Sequence, residues 1–224
     1  MSSAFAGWTF IFDFDGTVSP ADMGHVIFDA LATPEWRVID DRWIRREIPT
    51  SVRARAQFDL VDPDLRAMHR LIDRQAVDPA FPALARGLQS DGAEVQIASD
   101  GFGFYISRML AAAGLADLPV DSNRLEVRRG AIVLEFPYEQ DGCGHCGMCK
   151  ALPVRRAKAR GRRAVYVGDG YSDRCAVTEA DVVFAKDSLA AHCQAEGIPY
   201  HAFASLADVQ AWVSLRMPTG ERYP

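Results

Sequence analysis

The sequence predicts an α/β fold: a parallel sheet with helices on both faces, carrying a helical cap inserted after the first strand. Three observations predict it. Short apolar, β-branched runs recur at Trp8–Phe14 (WTFIFDF), Glu94–Ala98 (EVQIA), Ala164–Val167 (AVYV) and Asp181–Ala185 (DVVFA), the pattern of strands buried on both faces. Segments with apolar residues at helical spacing alternate with them, and such alternation requires a parallel sheet. Finally, a stretch of about sixty residues after the first run breaks this rhythm with helical patterns of its own, and a structureless loop of that length is improbable in a compact domain.

Taken in order, WTFIFDF ends at Asp15-Gly16-Thr17, so its carboxylates stand at a strand's C-terminal end. Helices are expected around His25–Leu31, Ile44–Asp59 and Pro63–Gln75, and residues 19–80 are assigned to the cap. The core takes residues 1–18 and 81–224, with helices over Phe81–Gln89, Phe102–Ala113, Ala151–Arg160, Asp173–Glu179 and Ser188–Glu196. Gly92, Gly114, Gly161 and Gly197 supply stops. A hairpin is expected over Leu125–Glu135 with Arg129-Gly130 at its turn.

With 30 acidic against 25 basic side chains in 224 residues, the net charge of -5 excludes a general binder of nucleic acid or anionic membrane. No apolar run approaches the roughly 18 residues of a membrane span. The start MSSAFAGW lacks the basic-then-apolar order of a signal peptide, and three of the five cysteines crowd into Cys143-Gly-His-Cys146-Gly-Met-Cys149, a cluster suited to a reducing compartment. The expectation is a cytoplasmic protein acting on a small molecule.

Asp13-Phe14-Asp15-Gly16-Thr17 puts two carboxylates two residues apart, on one face of a strand. One can attack a phosphoryl group while the other moves the leaving-group proton, provided a hard divalent cation such as Mg2+ offsets the repulsion between anions. The calcium-loop alternative fails because Thr17-Val18-Ser19-Pro20 offers no further ligands at alternate positions. Gly168-Asp169-Gly170-Tyr171-Ser172-Asp173 follows the strand AVYV, so Asp169 emerges on the same rim as a metal ligand, with Asp173 behind it; such a turn is equally common as a plain structural one. Ser99 ends EVQIA and, with Asp100-Gly101, offers a hydroxyl and backbone N–H groups to a phosphate, or else an ordinary helix cap. Lys150 opens a helix, where the dipole disfavours a cation, so a use in balancing phosphate charge is indicated.

These pieces, in this order, resemble the motifs of the haloacid dehalogenase (HAD) superfamily: DFDGT, Ser99, Lys150 and GDGYSD. The resemblance implies a Rossmann-like core and a Mg2+-dependent phosphatase. Asp13 would be nucleophile and metal ligand, and Asp15 acid/base and metal ligand through its carbonyl. Asp169 would be the third protein ligand, with Ser99 and Lys150 holding the phosphoryl group. The helical insertion is similar to that of the phosphoserine-phosphatase-like branch, which places Asp22 as a substrate-recognising acid. The Cys146–Lys150 segment and the stretch from Phe184 to Phe203 look like methionine-salvage phosphatases of that branch, which act on 2-hydroxy-3-keto-5-methylthiopentenyl-1-phosphate. Those enzymes carry a doubled glycine after the second-motif serine. Asp100-Gly101 stands here instead, and its acid offers a partner to a cationic substrate group.

Other readings remain on the residues alone. A phosphomutase would use the same scaffold, and a binding module would keep the fold without turnover. Cys143, His145, Cys146 and Cys149 carry enough soft donors for zinc, although their spacing is compressed. His25, Trp36 and Trp43 read as packing residues, and Arg45, Arg46, Arg53 and Arg55 as a solvated helix face.

Overall fold

The computed structural model describes residues 4–216; the ends of the expected core, 1–3 and 217–224, lie outside the described residues. Its sheet has seven strands: β1 (Trp8–Phe12), β2 (Glu94–Phe102), β3 (Val120–Arg128), β4 (Ala131–Glu135), β5 (Arg163–Gly168), β6 (Val182–Ala185) and β7 (His201–Ala202). They lie in the order β4-β3-β2-β1-β5-β6-β7. Every pair is parallel except β3 with β4. That pair is the expected hairpin, its turn made by Arg129 (φ 52°) and Gly130 (φ 77°), the two positive-φ positions of a tight hairpin.

The helices are α1 (Met23–Leu31), α2 (Trp36–Ile44), α3 (Thr50–Phe58), α4 (Leu65–Ile72), α5 (Phe81–Ser90), α6 (Gly103–Ala112), α7 (Ala151–Ala159), α8 (Arg174–Val177), α9 (Asp187–Glu196) and α10 (Leu206–Ser214). Period-two alternation in the central strands divides the core between two faces. Phe10, Phe12, Val165 and Val167 point to the side covered by α5, α6 and α10, while Ile11, Ala164 and Tyr166 point to the side covered by α7, α8 and α9. Both faces being buried explains why Phe10–Phe12 and Ala164–Val167 are apolar without alternation. Among the described residues no helix is long and apolar enough to cross a membrane.

Two departures from the sequence reading have physical causes. The helix expected over Ile44–Asp59 forms only from Thr50 onward, as α3, because residues 45–49 are a turn. Arg46 turns left-handed at φ 60°, and Pro49 lacks an N–H and disfavours helical backbone at the residue before it. Trp36–Ile44, expected as part of no helix, forms α2 because its tryptophans bury at its two ends. The elements β7 and α10 also went unread, β7 for being two residues long.

β1 occupies the middle of the sheet, with β2 on one side and β5 on the other. The chain leaves β1 in one direction and later returns in the other, so a crevice opens beyond the strands' carboxyl ends. The four helices α1–α4 lie between β1 and α5 in sequence, and their apolar residues join the sheet's own cluster: Phe58 meets Phe28 at 5.0 Å and Phe102 of β2 at 5.3 Å between ring centroids. Because Phe58 is buried and bridges α3 to β2, Phe58→Ala is expected to cost about 3 kcal/mol of stability. Urea unfolding checks this; a loss below about 1 kcal/mol would mean that the contact does not hold these helices in place.

Candidate active site

Asp13 follows β1 directly. Its N–H still donates to Val167 O of β5 at 2.8 Å, so the strand's rigidity extends to the carboxylate. The chain then turns sharply: Thr17 N donates to Phe14 O at 3.2 Å and Ser19 N to Phe14 O at 2.8 Å. Gly16 makes this turn at φ +82°, and a Cβ there would collide with the carboxylate of Asp169. Only glycine permits the first and fourth motifs to come so close.

Lys150 Nζ lies 2.6 Å from Asp13 Oδ1 and 2.6 Å from Asp173 Oδ1, and donates to Ser172 Oγ at 2.8 Å. The lysine is 1% exposed. Burial alone would lower its pKa, yet the charges of Asp13 and Asp173 raise it, so it stays a cation. Asp173 is fully engaged: it also accepts from the Tyr166 hydroxyl (2.6 Å), Asp169 N (2.9 Å) and Gly170 N (2.8 Å). Asp169 in turn accepts from Thr17 Oγ1 at 2.6 Å.

Asp13, Asp169 and Asp173 each offer an oxygen, and these atoms lie within 4.8 Å of one another. Burial and the neighbouring Asp173 push the Asp13 carboxyl well above its usual range, and push Asp169 up to about 6. Three carboxylates against the one Lys150 ammonium leave two negative charges, the complement of a divalent cation. The donors are all hard oxygens, as Mg2+ requires.

Asp15 faces another way. Its Oδ1 accepts from Met23 N at 2.9 Å, and its Oδ2 from the Tyr105 hydroxyl at 2.8 Å and Ser99 Oγ at 3.3 Å. Burial, then the charge of Asp22, raises its carboxyl to about 7. Gly101 N donates to Ser99 Oγ at 2.9 Å, and a side chain at Gly101 would overlap the Tyr105 hydroxyl. The carboxylate of Asp100, expected beside the phosphate, is instead held by protein donors: Thr50 Oγ1 (2.6 Å), Met148 N (2.8 Å) and Asn123 Nδ2 (3.3 Å). Asp22 caps α1 by accepting from His25 N at 2.9 Å, with its side chain 45% exposed at the cleft.

A cleft of about 220 Å³ lies over these groups, floored by Asp13, Asp15, Ser99, Lys150 and Asp169 and walled by α1–α3. Its wall adds to one sequence reading and corrects another. Trp43 packs, as expected, but it also faces the cleft and donates from Nε1 to Thr50 Oγ1 at 3.0 Å. Arg53 is no part of a solvated face: it is ion-paired with Asp40 at 3.2 Å, and its guanidinium lies 3.9 Å from the Trp43 ring centroid. Tyr105, Thr17 and Tyr166 were not singled out from sequence. Thr17 had a signal in its place within DFDGT; the tyrosines had none, since each reaches its carboxylate through the fold.

The raised carboxyls make a test. A carboxyl raised in the folded state stabilises the fold fully below its unfolded pKa and loses that contribution as pH rises through its folded value. Without divalent cation, the melting temperature is therefore expected to fall between about pH 5 and 8, and Mg2+ or Asp169→Asn to flatten the fall. A flat metal-free profile would contradict the charge imbalance.

Sequence comparison matches residues 8–215 to the family described as Putative Phosphatase. The 2-hydroxy-3-keto-5-methylthiopentenyl-1-phosphate phosphatase of Brevibacillus brevis is 28% identical over 201 residues, covering 88% of this chain and 90% of its own. The enzyme of the same name from Bacillus cereus (strain B4264) is 25% identical over 207 residues, covering 91% and 94%. Among solved structures, a phosphoserine phosphatase holding a phospho-aspartyl intermediate analogue superposes with a TM-score of 0.71 at 19% identity, covering 92% of this chain and 99% of that one. The motifs, the sheet and these likenesses converge, and the chain belongs to the family described as Putative Phosphatase.

Proposed function

We propose that the chain is a Mg2+-dependent phosphatase that hydrolyses a small phosphate monoester through an aspartyl phosphate at Asp13, with 2-hydroxy-3-keto-5-methylthiopentenyl-1-phosphate as its first candidate substrate. One observation carries the reading: Asp13 stands on the floor of a small cleft, with a buried lysine cation at 2.6 Å and an acid of raised pKa nearby.

In this reading Asp13 attacks phosphorus, while Asp15, neutral in an appreciable fraction at neutral pH because its pKa is about 7, gives its proton to the departing alkoxide. Ser99 and Lys150 hold the phosphoryl oxygens. Asp15, now a carboxylate, takes a proton from water, whose oxygen attacks phosphorus and frees Asp13. Asp13, Asp169 and the Asp15 carbonyl would hold Mg2+, with Asp173 fixing Asp169 from behind. When bound, Mg2+ supplies the positive charge that lets carboxylates and phosphate approach. Residues 19–80 act as the cap that keeps bulk water out. Asp100 ties that cap to the core through Thr50.

The substrate preference rests on the cleft wall. Phe28, Phe58 and Trp43 line it, a surface fit for an apolar methylthio tail. Phosphoserine is the second reading, favoured by Asp22 and Arg53, which put one charge of each sign on the wall. Arg53, however, is already paired with Asp40, which leaves less charge for a substrate carboxylate.

The test is phosphate release from both esters with Mg2+, with chelator, and in variants. The salvage ester is expected to exceed phosphoserine by roughly tenfold or more in kcat/KM, with turnover lost on chelation and in Asp13→Asn. Asp15→Asn is expected to lower kcat by about 10²–10⁴. No phosphate from any ester would sink the hydrolase reading and leave a mutase or binding role. In Asp22→Asn the alkaline limb of the kcat profile is expected at lower pH than in wild type, because the charge that raises the Asp15 pKa is gone. An unmoved limb would remove Asp15 as the titrating acid.

A further inference from the structure

Cys143, Cys146 and Cys149 repeat at every third position in the loop between β4 and α7. The fold brings a fourth cysteine to them. Cys175, on α8 and 26 residues beyond Cys149 in sequence, has its Sγ in a group with those of Cys143 and Cys149, all within 4.8 Å of one another. Cys146 stands beside the set in the same loop, its backbone N–H donating to Cys143 Sγ. All four are free thiols. His145, a sulfur cluster's possible nitrogen partner by sequence, turns away: its ring stacks on Trp43 at 5.9 Å and 11°. Cys175 therefore takes the place in the ligand set that the sequence offered to His145.

The loop is shaped to hold these sulfurs. Gly144 turns at φ +73° between the first two cysteines, and Cys146 N donates to Cys143 Sγ at 3.4 Å, a bond that favours thiolate over thiol. Cβ atoms at Gly142 and Gly147 would collide with Cys149 and with Phe136 and Asn123 respectively. Three thiols within 4.8 Å of one another, a fourth next to them in the loop and no disulfide among the four offer the soft donors of a four-sulfur site.

We propose that Cys143, Cys146, Cys149 and Cys175 bind one Zn2+ as a closed structural site, separate from the carboxylate site. Binding releases the thiol protons to solvent and leaves four thiolates on the metal. Its position gives it a purpose. Cys149 immediately precedes Lys150, and Cys175 follows Asp173 by two residues. The ion thus fastens together the two segments whose side chains meet at 2.6 Å on the floor of the cleft. It is a positioning device for Lys150 and Asp173, and no ligand of it reaches the substrate.

The experiment is elemental analysis of the full chain, purified without a tag under reducing conditions from zinc-supplemented medium and dialysed against Mg2+ buffer. About one zinc per chain is expected, retained in Asp13→Asn and in Cys193→Ser, whose cysteine lies outside the cluster, and lost in Cys175→Ser. Wild-type protein refolded with Co2+ gives a reading that needs no variant: intense d–d bands and a thiolate charge-transfer band mark tetrahedral sulfur ligation. Zinc far below stoichiometry, no such cobalt spectrum, or a disulfide among the four in native protein would overturn the proposal. Because the readout is metal content and spectrum, it stands or falls independently of whether any phosphate ester is turned over.

Discussion

The arrangement depends on one buried cation. Lys150, 1% exposed, sits between Asp13 and Asp173, and a buried ammonium is tolerable only when it is paired and hydrogen-bonded. Asp13 comes from the end of β1, Lys150 from the start of α7, and Asp173 from the turn after β5. The lysine's need for both partners therefore draws three distant segments onto one point. It also explains a cation at a helix N-terminus, where the dipole opposes it: two adjacent carboxylates outweigh that cost.

Lys150 does not complete the balance. Asp169 joins Asp13 and Asp173 within one small volume, and the surplus of negative charge strains the metal-free site while preparing it for a divalent cation. Asp15 is kept apart from this group by Met23 N, Tyr105 and Ser99. Two carboxyls two residues apart thereby acquire different environments. One is placed beside a cation, and the other is buried against hydroxyls and raised to about 7. Divergent environments of this kind are what two neighbouring carboxyls need to take different parts in one reaction.

Much of this was legible in the sequence because it is local. FIF and AVYV are apolar throughout since both faces of a central strand are covered, and DFDGT and GDGYSD carry their carboxylates at strand ends whatever surrounds them. What was not legible is long-range. The late start of α3 is set by the left-handed turn at Arg46 and by Pro49, backbone features that an apolar pattern does not register. Tyr105 and Tyr166 are ordinary aromatic residues until the fold aims their hydroxyls at Asp15 and Asp173. Asp100 follows Ser99 directly, but its carboxylate is claimed by Thr50, Asn123 and Met148, none near it in sequence. Cys175 is the same case, since nothing in its spacing links it to Cys143.

The central claim is that Asp13 carries the phosphoryl group. Acid-quenching the enzyme during turnover, reducing it with borohydride and mapping peptides by mass spectrometry tests this directly, because reduction of an acyl phosphate leaves an alcohol in place of the carboxyl. The account predicts conversion of residue 13 to homoserine, dependent on substrate and absent in Asp13→Asn. Phosphate release with residue 13 unmodified, or with the label on another side chain, would contradict it.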